Sequence, residues 1–135
     1  MATYHEINLT DAPFIADADL TAKQYYWVYP ASTAGNVGVA TGASNPTPLG
    51  ILQNSPSAGQ EARVRLIGPS KAYAYVNGTC ILTVGNMVVA GSVGDTTSVT
   101  AYGTVNGRWL GPRATSGVVY GEVFIFGTSA CAASA

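Results

Sequence analysis

The chain has 135 residues, which is the size of one domain. Six Lys and Arg residues against seven Asp and Glu residues give a net charge of -1, so the chain has too few cations to be mainly a nucleic-acid-binding protein. Charged residues make up only 10% of the chain, whereas about 25% is usual in soluble domains. We therefore expect much of the surface to be buried between subunits, with a surface made soluble by Ser and Thr as the alternative.

The hydropathy pattern argues against a membrane protein. No stretch approaches the roughly 18 consecutive apolar residues of a membrane-spanning helix. No apolar run follows a charged start, so we expect no signal peptide. For Cys80 and Cys131 a disulfide is possible but not implied, and reduced thiols are the default expectation in a cytosolic protein.

The first 22 residues differ in composition from the rest of the chain. They contain the only histidine, His5, and their apolar residues follow no sustained period. The acids here are Glu6, Asp11, Asp17 and Asp19, and the apolar residues are Tyr4, Ile7, Leu9, Phe14 and Ile15. We predict that residues 1–22 form an extended arm, polar enough to stay solvated and apolar enough to dock on a partner.

From residue 24 onward the hydrophobic pattern has period two, which is typical of β-strands. The predicted strands are 24–29, 37–41, 49–53, 60–67, 71–76, 79–84, 86–90, 98–105 and 118–126. Asn77-Gly78 and Asn106-Gly107 have the dipeptide of a tight hairpin turn. Because glycines and prolines separate these short strands, we predict an all-β fold: one small β-sandwich or barrel-like domain over residues 23–127, then a flexible tail over residues 128–135.

The sequence offers little from which to build an active site. The only histidine lies in the predicted arm, and no G-x-S-x-G motif presents a nucleophile. The β domain has only three carboxylates, Glu61, Asp95 and Glu122, and we expect Glu122 to pair across a strand or a subunit interface. Phosphate-binding glycine loops and closed metal sites are also missing. We predict a protein that is not an enzyme and that needs no cofactor or metal.

The segment QYYWVY, residues 24–29, is the most aromatic part of the chain. Strand alternation places Tyr25, Trp27 and Tyr29 on one face and Tyr26 and Val28 on the other. Since both faces are apolar, the strand is either covered on both sides or turned toward a partner on one side. We assign its aromatic residues to a core or a subunit interface, with a sugar-binding aromatic platform as the alternative.

Four stretches of the sequence form a pattern that spans residues 1–126. The opening contains MATYHEI and ADADLTAKQYYWV. The central run, LGILQNSPSAGQEARVRLIGPSKAY, combines a Gly-Ile-Leu-Gln-Asn strand, a Pro-x-x-Gly turn and an alternating strand with a downstream Lys. Gly85-Asn86-Met87-Val88 is similar to a Gly-Asp-x-Val motif with Asn86 in place of the acid, and the closing stretch is LGPRATSGVVYGEVFIF. Together these stretches resemble the small phage capsid decoration proteins, also called cement proteins.

This resemblance implies a β-rich protein without enzymatic activity on the outside of a phage head. Such proteins are commonly trimeric, and they clamp neighbouring subunits of the major capsid protein after the shell expands. We therefore expect synthesis in the bacterial cytoplasm, assembly on the outer virion surface, and as partners the major capsid protein and two further copies of the chain, without nucleic acid or membrane. A carbohydrate-binding β-sandwich on a virion or cell surface is the alternative.

The sequence also suggests which residues would make these contacts. We expect the arm to carry much of the capsid attachment. The predicted capsid-binding residues are Tyr4, Ile7, Leu9, Phe14, Asp17 and Asp19, and the predicted trimer-interface residues are Tyr25, Trp27, Tyr29 and Glu122.

Overall fold

A computed structural model of the chain describes residues 11–39, 48–77, 81–91, 93–98 and 104–131. All regular structure in these ranges is β-strand, which confirms the predicted all-β class. The strands are β1 (Asp11–Ala16), β2 (Trp27–Pro30), β3 (Asn36–Val39), β4 (Gly50–Leu52), β5 (Glu61–Arg65), β6 (Gly68–Val76), β7 (Met87–Ala90), β8 (Thr96–Ser98), β9 (Thr104–Gly111) and β10 (Gly117–Cys131). Across the ranges just given, no helix has the length and hydropathy needed to cross a membrane.

The first five strands close into a small barrel in the order β1-β3-β2-β4-β5. Strand β1 closes it by pairing antiparallel with β5, from Asp11↔Arg65 to Ile15↔Glu61, and parallel with β3. The residues that fill the barrel are mostly small or β-branched, as its narrow interior requires. They are Ala16, Leu20, Val28, Val37, Leu52, Ala62 and Val64.

The last five strands form an antiparallel sheet in the order β6-β10-β9-β7-β8. The long strand β10 pairs with β6 from Gly117↔Val76 to Ile125↔Gly68. The inner face of this sheet packs on the outside of the barrel, where Trp27 and Ile51 join the buried residues of the sheet, among them Trp109 and Val123. The fold therefore has two cores, one inside the barrel and one between the barrel and the sheet.

Strand β2 separates these two cores. Trp27 points into the core beneath the sheet, and Val28 points into the barrel. Trp27 is only 1% exposed, and its indole N–H donates a 2.8 Å hydrogen bond to Thr96 Oγ1. Tyr29 is also buried. The strand is thus covered on both sides within the single chain, which agrees with the core alternative for its aromatic residues. The assignment of Trp27 and Tyr29 to a trimer interface stays a prediction.

The structure also moves the boundary of the predicted arm. Residues 11–16 form strand β1 of the barrel rather than an arm, while residues 1–10 lie outside the described ranges. The inward positions of β1, opposite Ala62 and Val64, carry Phe14 and Ala12. Alanine contributes little to a hydrophobic pattern, which explains why the period of this strand is weak in the sequence.

The second Asn-Gly pair lies inside a strand instead of forming a hairpin. Asn106 and Gly107 belong to β9, where the Asn106 side-chain oxygen accepts a 2.8 Å hydrogen bond from the Ala90 N–H. A Cβ atom on Gly107 would lie 2.5 Å from the backbone oxygen of Phe124. The glycine therefore allows β9 and β10 to approach closely. The Asn-Gly dipeptide alone does not show whether the glycine serves a turn or a close strand contact.

Two further boundaries differ from the sequence prediction. Strand β10 continues to Cys131, past the predicted start of the tail at residue 128. Within the predicted return strand 79–84, the described residues 81–84 do not pair with β6, which pairs with β10, and Leu82 makes an isolated bridge with Ala114. Residues 78–80, which include the predicted turn glycine, lie outside the described ranges.

Candidate functional site

The outer face of the five-stranded sheet is unusually apolar for a surface. Alternation along β6 buries Ala72, Ala74 and Val76 and turns the residues between them outward. Opposite residues of β6 and β10 form outward rows, of which Tyr75↔Val118 is the most exposed, with both side chains more than half accessible. Exposed apolar surface of this kind is typical of contact sites.

The apolar surface continues on the other side of β10. Phe124 lies opposite Arg108, which lies opposite Met87, so these three side chains share one face. Phe124 is 41% exposed, and Met87 is also exposed. We call this row the Phe124 ridge.

Four tyrosines cluster where the sheet meets the barrel. The rings of Tyr26 and Tyr73 are stacked, with centroids 4.2 Å apart and planes within 7°. Tyr120 continues the cluster, 5.5 Å from Tyr73 and 6.3 Å from Tyr25, which it meets edge-on. Burial, together with a hydrogen bond to Tyr73, raises the pKa of Tyr26 to about 12. The cluster is thus a packed aromatic surface between the sheet and the barrel.

Tyr25 has the most unusual backbone in this cluster. Its φ is 73°, the one positive value among the described residues other than glycine, and such a conformation costs on the order of 1–3 kcal/mol in a bulky residue. Two hydrogen bonds hold it there: its N–H donates to the Leu52 carbonyl at 2.8 Å, and its carbonyl accepts from the Tyr73 N–H at 2.9 Å. The strain turns the Tyr25 ring toward Tyr120, and the straight strand predicted over residues 24–29 does not provide this turn.

A cleft of about 380 Å³ opens between Tyr25 and Tyr120. Its lining combines two aromatic rings with hydroxyl, amide and ammonium groups. The lining residues are Thr21, Ala22, Gln24, Tyr25, Ser55, Lys71 and Tyr120. The Lys71 ammonium lies 5.8 Å from the centroid of the Tyr25 ring. We call this site the Tyr25–Tyr120 cleft.

Hydrogen bonds to neighbouring residues hold the polar side of the cleft in place. The Gln24 amide donates to the Gln53 carbonyl at 2.8 Å. The Gln53 amide in turn donates to Ser70 Oγ at 2.8 Å. A second cleft of about 320 Å³ shares Tyr25 and Lys71 with the first and extends toward Arg65 and Glu122. The two clefts therefore form neighbouring sites joined at Tyr25 and Lys71.

The predicted capsid-binding residues do not form one site. Tyr4, Ile7 and Leu9 lie outside the described residues, and Phe14 packs against the barrel core. The exposed Asp17 accepts a 2.9 Å hydrogen bond from the Asn36 amide. Asp19 accepts hydrogen bonds from the hydroxyl and the N–H of Thr21, and these lower its pKa. Both acids are thus exposed and locally fixed.

The predicted trimer-interface residues separate into two pairs. Trp27 and Tyr29 are buried, as described above, whereas Tyr25 and Glu122 remain accessible and both line the second cleft. Sequence reasoning missed Tyr73, Tyr120 and Lys71 as neighbours of Tyr25. The alternation of tyrosine with alanine in β6 indicates an exposed aromatic face. Tyr120 joins that face only because β10 pairs with β6.

The three carboxylates of the predicted β domain lie in separate places. Glu61 and Glu122 are exposed, on the barrel and on the outer sheet face respectively. Asp95 is buried in the loop between β7 and β8, and burial raises its pKa. Among the described residues, no three of His, Cys, Asp and Glu lie close enough together to hold a metal ion.

Comparison with known proteins finds a similar structure but no similar sequence. No protein-family model matches the chain and no curated protein is similar to it in sequence. The chain is similar in structure to the head fiber gp8.5 N base of bacteriophage phi29, with a TM-score of 0.59 and 13% sequence identity. The likeness covers 89% of this chain and 96% of that chain. The two therefore share one fold along nearly their whole lengths.

Proposed function

We propose that the chain is a structural protein of a phage virion. The observation that carries this proposal is the fold shared with a phage head fiber base, which covers nearly all of both chains. Few charges and an apolar outer sheet face support it, since both are suited to a protein that works in a large assembly. The proposed role requires neither catalysis nor a cofactor.

More specifically, the chain acts as a decoration protein on the outside of an expanded phage head. Its partner is the major capsid protein, and its effect is to stabilise contacts between capsid subunits. A ligand that binds only the expanded state stabilises that state by mass action. The sequence resemblance to decoration proteins supports this more specific role. In this role the chain is made in the host cytoplasm and assembles on the virion surface.

The chain acts as a homotrimer. A cyclic trimer matches the three-fold and local three-fold axes of a shell, so one surface makes three equivalent contacts. Three weak contacts made together can raise overall affinity by about 10²-fold or more. The Phe124 ridge supports self-association, since it combines the exposed apolar side chains of Phe124 and Met87 with the charge of Arg108, and Glu122 on the same sheet face carries the opposite charge.

Light scattering with two matched variants tests the trimer. Phe124 and Ile15 are each 41% exposed, the first on the outer sheet face and the second on the barrel. The wild-type chain and Ile15→Ser should have about three times the monomer mass of 13.8 kDa. Phe124→Ser should shift toward the monomer. A wild-type chain that is monomeric both in solution and on heads would contradict the trimer.

The first ten residues attach the chain to the head. They contain Tyr4, Ile7 and Leu9, and burial of one large apolar side chain contributes roughly 1.5–3 kcal/mol. The chain enters the barrel at Asp11, whose carboxylate forms a 2.7 Å ion pair with Arg65. Asp17 and Asp19 are exposed on the same domain and would give the association a salt-sensitive component.

Deletion of residues 2–10 tests the attachment. The barrel should stay folded because Asp11 and all of β1 remain, whereas a longer deletion to residue 20 would remove a barrel strand. The truncated protein should no longer sediment with expanded heads but should keep its oligomeric mass. Full binding after the deletion would contradict attachment by this segment, and loss of the oligomer would assign the segment to the subunit interface.

Substitution of exposed acids tests the electrostatic component separately. Asp17→Asn combined with Asp19→Asn should weaken sedimentation with heads and reduce its dependence on salt. Glu61→Gln is the control, since Glu61 is an exposed acid elsewhere on the barrel. Equal effects of the two changes would indicate a general charge effect rather than a defined contact.

A further inference from the structure

We propose that the Tyr25–Tyr120 cleft binds a carbohydrate, with one pyranose ring seated against the tyrosines. This inference is independent of capsid binding. It also differs from the sequence-based aromatic platform, because Trp27 and Tyr29 are buried and, of the three aromatic residues on that face, Tyr25 lines the cleft.

The shape of the cleft favours a small ring-shaped ligand. Tyr25 and Tyr120 meet at an interplanar angle of 74° with centroids 6.3 Å apart, so they form a corner rather than a flat patch. One ring can face the apolar C–H surface of a pyranose while the other bounds its edge. At about 380 Å³, the cleft falls within the roughly 300–1,000 Å³ of small-molecule sites.

The polar lining matches the hydroxyl groups of a sugar. Thr21 and Ser55 offer hydroxyl oxygens as acceptors, since their protons are donated to Asp19 and to the Gln24 amide oxygen. Gln24 offers an amide N–H, and Lys71 offers an ammonium donor. Sites of this kind combine apolar contact area with a few placed polar groups that determine orientation.

The site is organised before a ligand arrives. Tyr25 is held in its positive-φ conformation by backbone hydrogen bonds on both sides, and Gln24 is anchored on the Gln53 carbonyl. Tyr120 packs on Tyr73, which is itself stacked on Tyr26. Fixed side chains lose little conformational entropy on binding, which favours affinity for a small ligand.

The adjoining cleft indicates that the ligand is longer than one sugar. It begins at Tyr25 and Lys71 and extends over Ser70 toward Arg65 and Glu122. A second sugar residue linked to the first would lie there. The class of ligand is therefore an oligosaccharide of at least two units.

The experiment measures binding of defined oligosaccharides to the full-length protein by ligand-observed NMR. The probes are maltotriose, cellotriose, chitotriose and a rhamnose trisaccharide, each at millimolar concentration. At least one should bind, and Tyr120→Ala should weaken that binding by about tenfold. Lys71→Gln should weaken it as well, since it removes a donor from the shared wall.

Tyr75→Ala is the matched control. Tyr75 is 52% exposed against 51% for Tyr120, but it lies one row away and does not line the cleft. This variant should bind as the wild type does, and thermal unfolding should show that all variants are folded. Absence of binding by all four probes would overturn the proposal, as would an equal loss of binding in Tyr75→Ala.

The same variants separate this site from a protein interface. Tyr120→Ala should leave sedimentation with expanded heads unchanged. If Tyr120→Ala abolishes head binding and the wild type binds none of the probes, the face is a protein contact and the carbohydrate proposal fails. If the probes bind but the chain never associates with heads, the carbohydrate site stands and the decoration role fails.

Discussion

In barrel strand β5 the outward positions all carry charged residues, whereas those of β10 carry one charged residue, Glu122, among Val118, Tyr120 and Phe124. Both strands alternate cleanly, and both bury their other face. The barrel is closed, so its strands leave no free edge and its outside is suited to water. The sheet turns an equally regular but mostly apolar face to solvent. This difference supports the proposals that place subunit and ligand contacts on the outer face of the sheet.

The two faces of the sheet should differ strongly in their effect on stability. Trp109 is buried on the inner face, and its indole N–H donates to the Pro112 carbonyl at 2.7 Å. Trp109→Ala should lower the free energy of unfolding by about 3–5 kcal/mol. Tyr75→Ala, on the outer face, should lower it by less than about 1 kcal/mol. Urea denaturation followed by circular dichroism measures both, and similar losses would show that the outer face is not exposed.

A pair of glycines tests how tightly the barrel is closed. A Cβ atom on Gly50 would lie 2.0 Å from the backbone oxygen of Arg65, whereas a Cβ atom on Gly38 would meet nothing within 4 Å. Gly50→Ala should therefore lower the free energy of unfolding by about 1–3 kcal/mol. Gly38→Ala should stay within about 0.5 kcal/mol of the wild type. If both variants were equally stable, the contact between β4 and β5 would be looser than the structure describes.

Asp95 in the sheet region and Asp19 in the barrel region should change the free energy of unfolding in opposite directions as pH rises. Burial raises the pKa of Asp95, so the folded state holds this proton more tightly than the unfolded state. Stability should fall as pH rises from the unfolded pKa of 3.8 through the folded pKa, and Asp95→Asn should remove that fall. Hydrogen bonds lower the pKa of Asp19, so its stabilisation is lost as pH falls from 3.8 through the folded value.

Urea denaturation at a series of pH values measures both aspartate effects. Asp95→Asn and Asp19→Asn should change the slope of stability against pH in opposite directions below neutral pH. Slopes of the same sign in the two variants would contradict the burial of Asp95 or the hydrogen bonds from Thr21 to Asp19.

The smallest expected effect concerns the stacked tyrosines. The pKa of Tyr26 is raised from 10.0 to about 12, so stability should decline as pH rises between these values, because the unfolded chain loses this proton first. Ultraviolet absorbance should show a tyrosine titrating near pH 12 that disappears in Tyr26→Phe. Tyr75→Phe should leave that step in place. A titration without any step near pH 12 would contradict the stacked pair.

Several structural features followed from local sequence patterns. The alternation in residues 60–67 predicted which residues of β5 point inward, and Ala62 and Val64 are buried as expected. The alternation of Tyr73 and Tyr75 with alanines likewise predicted the two faces of β6. Patterns of this kind are readable because side-chain direction in a strand depends only on neighbouring residues.

Other features depended on contacts between distant parts of the chain. The pattern could not show that β1 closes the barrel, since its inward alanines resemble those of a solvated arm. It could not show that Asn106-Gly107 lies inside β9, because the need for glycine comes from the Phe124 backbone. The Tyr25–Tyr120 cleft joins residues nearly a hundred positions apart, so no local signal marks it.

The sequence by itself determined the all-β class, the low charge and the amphipathic character of individual strands. Each of these is a property of composition or of residues a few positions apart. Only the tertiary structure decided which apolar faces became cores and which remained exposed. Trp27 is buried and Tyr120 is exposed, although both are aromatic residues in strands or beside them. The physical reason is that burial depends on which strand or sheet packs above a residue, and strand pairing between distant segments sets that arrangement.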